Sequence, residues 1–251
     1  MKSMTIEIWS DIVCPWCYIG KRRFEAALAR FAYRDQVEII WRSFELDPHA
    51  PRRYAGTLDD LVVKKLGVSQ AHAAALNAQV TAMAAAEGLD YRLDQAKYGN
   101  TFDAHRLIHL AATHGRQGAV KERLLRAYFT EGRPISEPDT LVAVGAEAGI
   151  PADTVGVMLA GDAYVEAVRA DERRAAMFGI QGVPFFVINE QYGVSGAQDP
   201  AVFLNTLEQA WAKSHPLTLV SAPTATEGCD DGSCAVAPAY EAGRDHETVL
   251  T

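Results

Sequence analysis

Residues 4–17 read MTIEIWSDIVCPWC, and this stretch decides the fold because an apolar segment runs directly into two cysteines. Residues 5–9 alternate polar and apolar side chains, as a half-buried strand does. An amphipathic helical pattern follows from Tyr18 to Phe31, so Cys14 and Cys17 are expected at a strand-to-helix junction. The free N–H groups and dipole of a helix N-terminus stabilise a thiolate, which is the nucleophile of disulfide exchange. Two intervening residues let the second thiol resolve a mixed disulfide formed by the first.

The two cysteines also have less specific interpretations, as a structural pair or as half of a zinc site. Zinc requires two further close ligands, usually from a second C-x-x-C or an H-x-H pair. The other cysteines, Cys229 and Cys234, lie near the far end of the chain and are separated by four residues. The preceding strand, the internal Pro15 and the following helix favour a catalytic dithiol.

A second informative segment is residues 178–188, FGIQGVPFFVI, which reads as a loop entering a buried strand. Pro184 is tolerated there because a strand start does not need its N–H group. An ordinary trans proline fits this position too. Combined with the C-x-x-C pair, however, Gly-Val-Pro before an aromatic strand resembles the thioredoxin fold and its cis-proline loop. That resemblance implies that Val183 offers its backbone to an extended substrate beside the dithiol.

Composition and charge exclude several function classes. The chain has 251 residues, of which 49% are hydrophobic, so it can form a sizeable core. The net charge is −8 and no basic cluster is present, so a nucleic-acid partner is not expected. No apolar run reaches about 18 residues, so neither a transmembrane helix nor a membrane partner is expected. The first residues lack the pattern of a secretory signal, so we expect a cytoplasmic protein, where a C-x-x-C pair is more often catalytic than structural.

The order of strand and helix patterns predicts an interrupted α/β fold. Strand-like residues 4–9 and 36–46 flank the first helix and form a βαβ unit. Helical patterns continue from about residue 57 to 174, and strand patterns return at residues 183–188 and 191–195. We therefore predict a thioredoxin fold with an inserted all-helical domain and a flexible acidic C-terminal tail. The predicted boundaries are 1–55 and 176–215 for the split thioredoxin-like domain, 56–175 for the helical domain and 216–251 for the tail.

The split core, CPWC at residues 14–17, Gly-Val-Pro at 182–184 and NTFDAHRL at 100–107 together resemble the DsbA family. Within it, residues 4–213 are most similar to the FrnE-like branch of cytosolic-type proteins. The resemblance implies a thiol–disulfide oxidoreductase in which Cys14 is the nucleophile and Cys17 the resolving thiol. It also implies that Pro184 is the cis-proline and Val183 its substrate-facing neighbour. No tightly bound cofactor and no metal are expected, since the redox-active disulfide carries the chemistry; glutathione is a candidate substrate.

The residues between the cysteines tune the stability of the thiolate. DsbA carries a histidine inside its motif, whereas this chain has Trp16 after Pro15. Trp16 cannot supply the positive charge that a histidine can. We therefore expect Cys14 to be less acidic, and the disulfide less oxidising, than in DsbA. Trp16 is also expected to form a wall of the substrate groove.

The tail contains a second cysteine pair, Cys229 and Cys234, among acidic residues. Residues 216–251 carry six acidic side chains and one basic one, a net charge of −5, and their composition predicts a flexible segment. FrnE-like proteins can carry such a pair, so one hypothesis is a redox relay in which the tail exchanges disulfides with Cys14 and Cys17. An exposed local disulfide, two idle thiols or capture of a soft metal remain alternatives.

Five weaker candidates have simple structural alternatives. His105 and His109 share one helix face at metal-ligand spacing, but no third ligand accompanies them, so packing is favoured. Asn100 could contact substrate or cap a helix. Gln198 and Asp199 precede the last helix, where related enzymes bind the γ-glutamyl group of glutathione, although Asp199 could also act as a helix cap.

Two function classes remain after these considerations. The first is a dithiol oxidoreductase that acts on disulfide-containing proteins or small thiols and exchanges electrons with a thiol donor or acceptor. The second is a glutathione-dependent isomerase or transferase, like the chromene-carboxylate isomerases and kappa-class transferases that share the inserted architecture. Those enzymes generally lack the dithiol, so the intact pair favours the first class. The direction of redox flux and the oligomeric state do not follow from the sequence.

Overall fold

A computed structural model describes residues 3–216, which contain four strands and nine α-helices. The strands are β1 (Met4–Ser10), β2 (Val37–Ser43), β3 (Phe185–Ile188) and β4 (Tyr192–Ser195). The helices are α1 (Pro15–Arg30), α2 (Leu58–Leu66), α3 (Gln70–Ala86), α4 (Phe102–Thr113), α5 (Gln117–Phe129), α6 (Pro138–Glu147), α7 (Ala152–Ala160), α8 (Val165–Met177) and α9 (Pro200–Ser214). The predicted mixed α/β class, with helices between two groups of strands, is confirmed.

The four strands form one sheet in the order β2-β1-β3-β4. β1 and β2 are parallel, with Ile8 opposite Trp41, and α1 provides the crossover that a parallel pair requires. β1 and β3 are antiparallel, with Ile8 opposite Phe186, so β1 is a central strand. The side chains that follow β1 are thereby placed at one end of the middle of the sheet.

β3 and β4 form the hairpin that the sequence predicts at Asn189 and Glu190. Both residues have positive φ, 50° and 56°, as the two central residues of a tight hairpin turn require. Asn189 also exchanges hydrogen bonds with β1, because its N–H donates to the Thr5 carbonyl (2.9 Å) and its side-chain oxygen accepts from the Thr5 N–H (3.0 Å). The hairpin is thus fixed in register against the central strand.

The apolar face of α1 packs against one face of the sheet together with α9. Phe24 of α1 has its ring centroid 5.4 Å from Phe186 of β3 and 5.8 Å from Phe203 of α9. These aromatic side chains are almost completely buried. Burial of this area from three segments distant in sequence is the main stabilising contribution on this face.

The opposite face of the sheet packs against α8. Trp9 of β1 is completely buried with Ala175, Ile180 and Val187, and its indole N–H donates a hydrogen bond to the Asp171 carbonyl (2.9 Å). Trp9 therefore packs against α8 without leaving a buried N–H group unpaired.

An ionic network around two buried carboxylates, Glu7 and Asp171, links β1 and β2 to α8 on this face of the sheet. Glu7 accepts from Arg42 (2.6 Å) and Arg174 (2.8 Å), and Asp171 binds Arg42 (3.0 Å) and His109 (3.0 Å). Burial opposes ionisation of Glu7, but the hydrogen bonds from Arg174 and Arg42 outweigh it and hold the pKa of Glu7 below its usual range. His109 therefore has a structural partner in this network.

Helix ends in the inserted region follow the capping chemistry that the sequence suggests. Thr57 and Asp60 form a reciprocal capping box at the start of α2, and Gly67 ends the helix with φ 67°. Ser69 caps α3, and Pro138 occupies the first turn of α6. The helical pattern after residue 149 resolves into two separate helices, α7 and α8.

One strand is shorter than predicted. β2 ends at Ser43 rather than at residue 46, because the Leu46 N–H donates to the Asp11 carboxylate (2.8 Å) instead of to a neighbouring strand. On the edge of β2, the Gln117 side chain hydrogen-bonds both the N–H and the carbonyl of Trp41, each at 3.0 Å. Gln117 therefore covers an edge that would otherwise expose unpaired backbone groups.

Contacts join the residues up to His215 into one compact unit, in which the inserted helices and the sheet are not separated. The boundaries predicted for the split domain and its insertion remain an interpretation. None of the helices among residues 3–216 has the length and apolar character needed to cross a membrane. The predicted acidic tail, residues 216–251, lies outside the described residues except for Pro216.

Candidate active site

Cys14 and Cys17 occupy the N-terminus of α1. Cys14 is the N-cap residue, Pro15 takes the first helical position, and the Cys17 N–H donates to the Cys14 carbonyl (3.0 Å). Proline fits this position because its missing N–H would have no partner there. Both cysteines are present as thiols and are buried, with 3% and 1% of their surface exposed, whereas Trp16 is 39% exposed.

The loop before β3 reaches the first cysteine. The Cys14 thiol donates a hydrogen bond to the Val183 carbonyl at 3.4 Å between Sγ and O. The Val183–Pro184 peptide bond is cis, and Pro184 is buried. Gly20 of α1 allows this approach, because a Cβ on Gly20 would lie only 2.9 Å from Cγ of Pro184. The structure thus brings together Cys14, Cys17, Val183 and Pro184 as the sequence predicts.

A buried lysine lies behind the dithiol. Lys121 of α5 is 1% exposed, and its ammonium donates to the Ser10 carbonyl (3.4 Å) and lies 5.5 Å from the centre of the Trp41 ring. Burial lowers the pKa of Lys121 to about 8, although the charges of Cys17 and Asp11 favour its protonated form. At neutral pH this side chain therefore supplies a positive charge inside the site.

The two thiols have opposite pKa shifts. Burial opposes ionisation of Cys17, but the contact with the Cys14 thiol and the charge of Lys121 hold the pKa of Cys17 below its usual range. The hydrogen bond to Cys17 and burial raise the pKa of Cys14 well above its usual range. The two thiols therefore titrate as a pair, and the positive charge of Lys121 favours one negative charge on that pair.

A buried carboxylate, Asp11, lies near the Lys121 ammonium. It accepts hydrogen bonds from the Ile12 N–H (2.7 Å), the Leu46 N–H (2.8 Å) and Nε2 of His105 (3.2 Å). Burial opposes its ionisation, but the hydrogen bond and charge of His105, the Leu46 N–H and the charge of Lys121 hold the pKa of Asp11 below its usual range. Asp11 thus keeps a negative charge that balances Lys121.

Tyr91 forms a wall beside the motif. Its hydroxyl donates to the Pro15 carbonyl (2.7 Å), and its ring stacks on Phe129 with the centroids 4.5 Å apart. Burial, together with the negative charge of the Cys14–Cys17 pair, raises the pKa of Tyr91 well above its usual range. The Tyr91 hydroxyl therefore remains protonated and fixes the backbone between the two cysteines.

Comparison with known proteins identifies the family. Residues 5–208 match the family model of the DSBA-like thioredoxin domain. The chain belongs to the DsbA family. A probable DsbA oxidoreductase from Streptomyces coelicolor has a crystal structure that is 46% identical, with a TM-score of 0.81; the match covers 94% of this chain and 100% of that chain. The predicted family and the predicted thioredoxin fold with its helical insertion are thereby confirmed, and the chain is an oxidoreductase of the DsbA-like type.

More distant structures share the fold. The cytosolic disulfide reductase DsbM from Pseudomonas aeruginosa, solved with GSH, is 18% identical with a TM-score of 0.58, and the match covers 82% of this chain and 98% of that chain. A 2-hydroxychromene-2-carboxylate isomerase is 13% identical with a TM-score of 0.61, and the match covers 84% of this chain and 97% of that chain. The architecture is therefore found in proteins of both function classes named above.

Three polar residues of this DsbA-family site were not identified from the sequence: Asp11, Tyr91 and Lys121. A signal existed for Lys121, because it lies on the same helix face as Leu124 and Leu125, so the apolar spacing of α5 directs it into the core. Asp11 similarly interrupts the buried run that links β1 to the motif. Nothing in the local sequence of Tyr91 indicates its contact with Pro15.

The remaining predicted site residues have structural partners. The Asn100 side-chain oxygen accepts from the Phe102 N–H (2.9 Å), while Thr101, not Asn100, is the N-cap of α4. Gln198 donates to the Ser195 carbonyl (2.8 Å), and Asp199 caps α9 by accepting from the Ala201 N–H (2.8 Å). These contacts explain the residues without a ligand. Cys229 and Cys234 lie outside the described residues.

We expect Asp199→Ala to destabilise the protein by about 1 kcal/mol, the usual loss for removing an N-cap side chain. The mutation leaves the Ala201 N–H at the start of α9 without its acceptor. Thermal or urea unfolding would measure the loss, with Glu208→Ala, an exposed position inside α9, as the matched control. Equal stability of Asp199→Ala and the control would show that the cap contributes nothing.

His105 and His109 face different partners. His105 contacts Asp11, and His109 contacts Asp171 and the Ser43 hydroxyl (3.1 Å). Within residues 3–216 no group of three or more histidine, cysteine, aspartate or glutamate side chains is arranged to hold a metal ion. The two histidines therefore take part in hydrogen bonds with different buried carboxylates.

Proposed function

We propose that this protein is a thiol–disulfide oxidoreductase in which Cys14 is the nucleophile and Cys17 the resolving thiol. One observation carries the proposal: two adjacent thiols at a helix N-terminus, with Cys14 directed at the Val183 carbonyl. A substrate strand that hydrogen-bonds the Val183 backbone would present its disulfide to Cys14. The family membership supports an oxidoreductase, and the assignment of roles rests on this geometry.

The proposed reaction has two exchange steps. The Cys14 thiolate attacks one sulfur of the substrate disulfide, forming a mixed disulfide and releasing the other substrate sulfur as a thiolate. The Cys17 thiolate then attacks Sγ of Cys14, forming the Cys14–Cys17 disulfide and releasing the second substrate thiolate. The dithiol thereby gives two electrons and two protons to the substrate, which leaves as two thiols. An external thiol must then reduce the Cys14–Cys17 disulfide.

Proton transfer between the two sulfurs prepares the first step. Attack by Cys14 requires the negative charge of the pair to lie on Cys14, so the one proton that the two sulfurs then hold must lie on Cys17. Lys121 stabilises the negative charge on the pair throughout, since it lies behind both sulfurs. After the first step, Cys17 must lose its proton again to attack.

We further propose that reduction of substrates is the favoured direction. A thiolate exists only in the reduced enzyme, so weaker thiolate stabilisation makes the disulfide less oxidising. Trp16 provides no positive charge in place of a histidine, so the motif itself stabilises the thiolate less than a histidine-containing motif would. The shared fold with a cytosolic disulfide reductase supports the same direction. Disulfide-containing proteins or small thiol compounds would be the substrates, a thiol such as glutathione the electron donor, and the cytoplasm the compartment.

The tail cysteines extend this proposal. If the chain belongs to the FrnE-like branch, Cys229 and Cys234 would exchange disulfides with Cys14 and Cys17 and reset them after each turnover. In a Cys17→Ala variant, a link between Cys14 and either tail cysteine, identified by mass spectrometry, would support the relay. Absence of that link, in a protein that still forms mixed disulfides with substrate, would contradict it.

The proposed function is tested by comparing the two directions of exchange. Insulin reduction with dithiothreitol measures one, and oxidative refolding of a reduced protein measures the other. We expect wild-type protein to accelerate insulin reduction more than refolding. Faster refolding would reverse the proposed direction. Inactivity in both assays, together with tight glutathione binding, would replace the proposal with the glutathione-dependent isomerase or transferase class.

A further inference from the structure

A cavity of about 440 Å³ lies between α2, α3 and the segment that precedes α4. Its apolar walls include Leu58 and Leu93, and Tyr91 forms the side nearest the dithiol. The volume falls within the range of about 300–1,000 Å³ that is typical of small-molecule and side-chain binding sites. It is therefore large enough to hold one or two amino-acid side chains of a substrate.

Tyr91 connects this cavity to the redox motif. The same side chain that lines the cavity donates its hydroxyl proton to the Pro15 carbonyl at 2.7 Å. Its ring also stacks over Tyr18, the residue after Cys17, with the centroids 6.1 Å apart. Tyr91 therefore contacts both the cavity and the helix turn that carries the C-x-x-C motif.

The polar lining of the cavity is acidic. Asp59 and Asp94 lie in the wall, with amide and hydroxyl groups around them, and the lining contains no lysine or arginine. Asp59 accepts a hydrogen bond from Asn77 (2.5 Å), which fixes the orientation of its carboxylate. Neither carboxylate forms an ion pair within residues 3–216; the nearby Arg92 pairs with Asp90 instead. The cavity therefore has two uncompensated negative charges.

We propose that this cavity binds the segment flanking the disulfide of a peptide or protein substrate and selects a lysine or arginine in that segment. The inference rests on the proposed function and adds a substrate preference to it. A long basic side chain can pack its methylene groups against Leu58 and Leu93 while its charge reaches Asp59 and Asp94. A glutamate in the same position would meet two like charges, and glutathione, which is itself anionic, gains nothing from the cavity.

Binding can be tested without any redox step. Two short peptides, identical except for lysine or glutamate beside a serine that replaces the substrate cysteine, are titrated by calorimetry. We expect wild-type protein to bind the lysine peptide roughly tenfold more tightly, about threefold from each partly exposed ion pair. Asp59→Asn with Asp94→Asn should remove this preference, and added salt should weaken it.

The matched control is Asp153→Asn. Asp153 is an exposed carboxylate in the first turn of α7, as the half-buried Asp59 is in the first turn of α2, but it does not line the cavity. The control should keep the full preference for lysine. Equal affinity of wild-type protein for the two peptides overturns the proposal. An equal loss in the control and in the double variant also overturns it, because the preference would then reflect only the net charge.

Turnover separates this inference from the proposed function. The corresponding peptide disulfides are reduced alongside hydroxyethyl disulfide, an uncharged substrate too small to reach the cavity. The ratio of lysine-peptide to hydroxyethyl disulfide turnover should fall roughly tenfold in the double variant and stay constant in Asp153→Asn. If wild-type protein reduces both substrates without preferring lysine, the cavity assignment fails. If it reduces neither but still binds the lysine peptide selectively, the proposed function fails and the cavity assignment stands.

Discussion

Replacing Cys14 with serine should abolish disulfide exchange, with insulin reduction falling more than about a thousandfold to the uncatalysed rate. A serine hydroxyl is not ionised at neutral pH and cannot form a mixed disulfide, so the first step has no nucleophile. The serine hydroxyl can also donate a hydrogen bond to the Val183 carbonyl, so the substitution should leave the fold intact. The rate of dithiothreitol-dependent insulin reduction measures the effect.

Cys17→Ala is the companion variant, because it separates the first step from the second. Cys14 can still attack a substrate disulfide, but no neighbouring thiol resolves the product, so a mixed disulfide should accumulate. Mass spectrometry of the trapped species should locate the substrate on Cys14. Catalysis by Cys14→Ser at a rate near that of the wild-type protein would contradict the assigned roles. A substrate trapped on Cys17 in the Cys14→Ser variant, with none trapped on Cys14 in Cys17→Ala, would reverse them.

Local sequence patterns predicted most of the fold. The alternation in β1, the capping box at Thr57 and the turn at Asn189 each depend on residues that are close in sequence, so they could be identified before any tertiary contact was known. The end of β2 was placed too late. Its boundary depends on Asp11, which takes the Leu46 N–H away from strand pairing, and no pattern within β2 reveals that competition.

The candidate site also contains residues that local sequence motifs predict and residues that only tertiary packing brings in. The dithiol and the Val-Pro loop carry recognisable motifs, and the structure brings them together. Lys121 reaches the Ser10 carbonyl from a helix 111 residues away, and Tyr91 reaches Pro15 across 76 residues. Such contacts arise from packing of the inserted helices against the sheet, which periodicity within one helix does not specify. The charges that set the thiol pKa values therefore became visible only in the structure.

Lys121→Met should raise the thiolate pKa of the dithiol by about one to two units, a change of roughly 10- to 100-fold in the fraction ionised at a given pH. Lys121 is almost completely buried, and its charge lowers the pKa of Cys17, whereas methionine keeps much of the volume without the charge. Because the thiolate exists only in the reduced enzyme, the disulfide of the variant should become less oxidising. Ultraviolet absorbance of the thiolate during a pH titration, and equilibration with glutathione, measure the two effects. Lys64→Met, on the exposed surface of α2, controls for the loss of one positive charge and should change neither quantity.

Lys121→Met should also increase the free energy of unfolding at neutral pH. Burial lowers the pKa of Lys121 from 10.5 to about 8, so in this window the unfolded chain holds a proton that the folded protein has lost, and the stability of the wild-type protein rises with pH. Below about pH 8 the buried charge is present and costs roughly 3 kcal/mol, which Lys121→Met avoids. In the oxidised proteins the thiol charges that favour protonated Lys121 are absent, so the pKa of Lys121 is lower still. Urea unfolding of these oxidised proteins should show a more stable variant at pH 7 and a smaller difference at pH 10. An unchanged thiolate pKa together with a pH-independent stability difference would show that Lys121 is a packing residue and carries no charge in the folded protein.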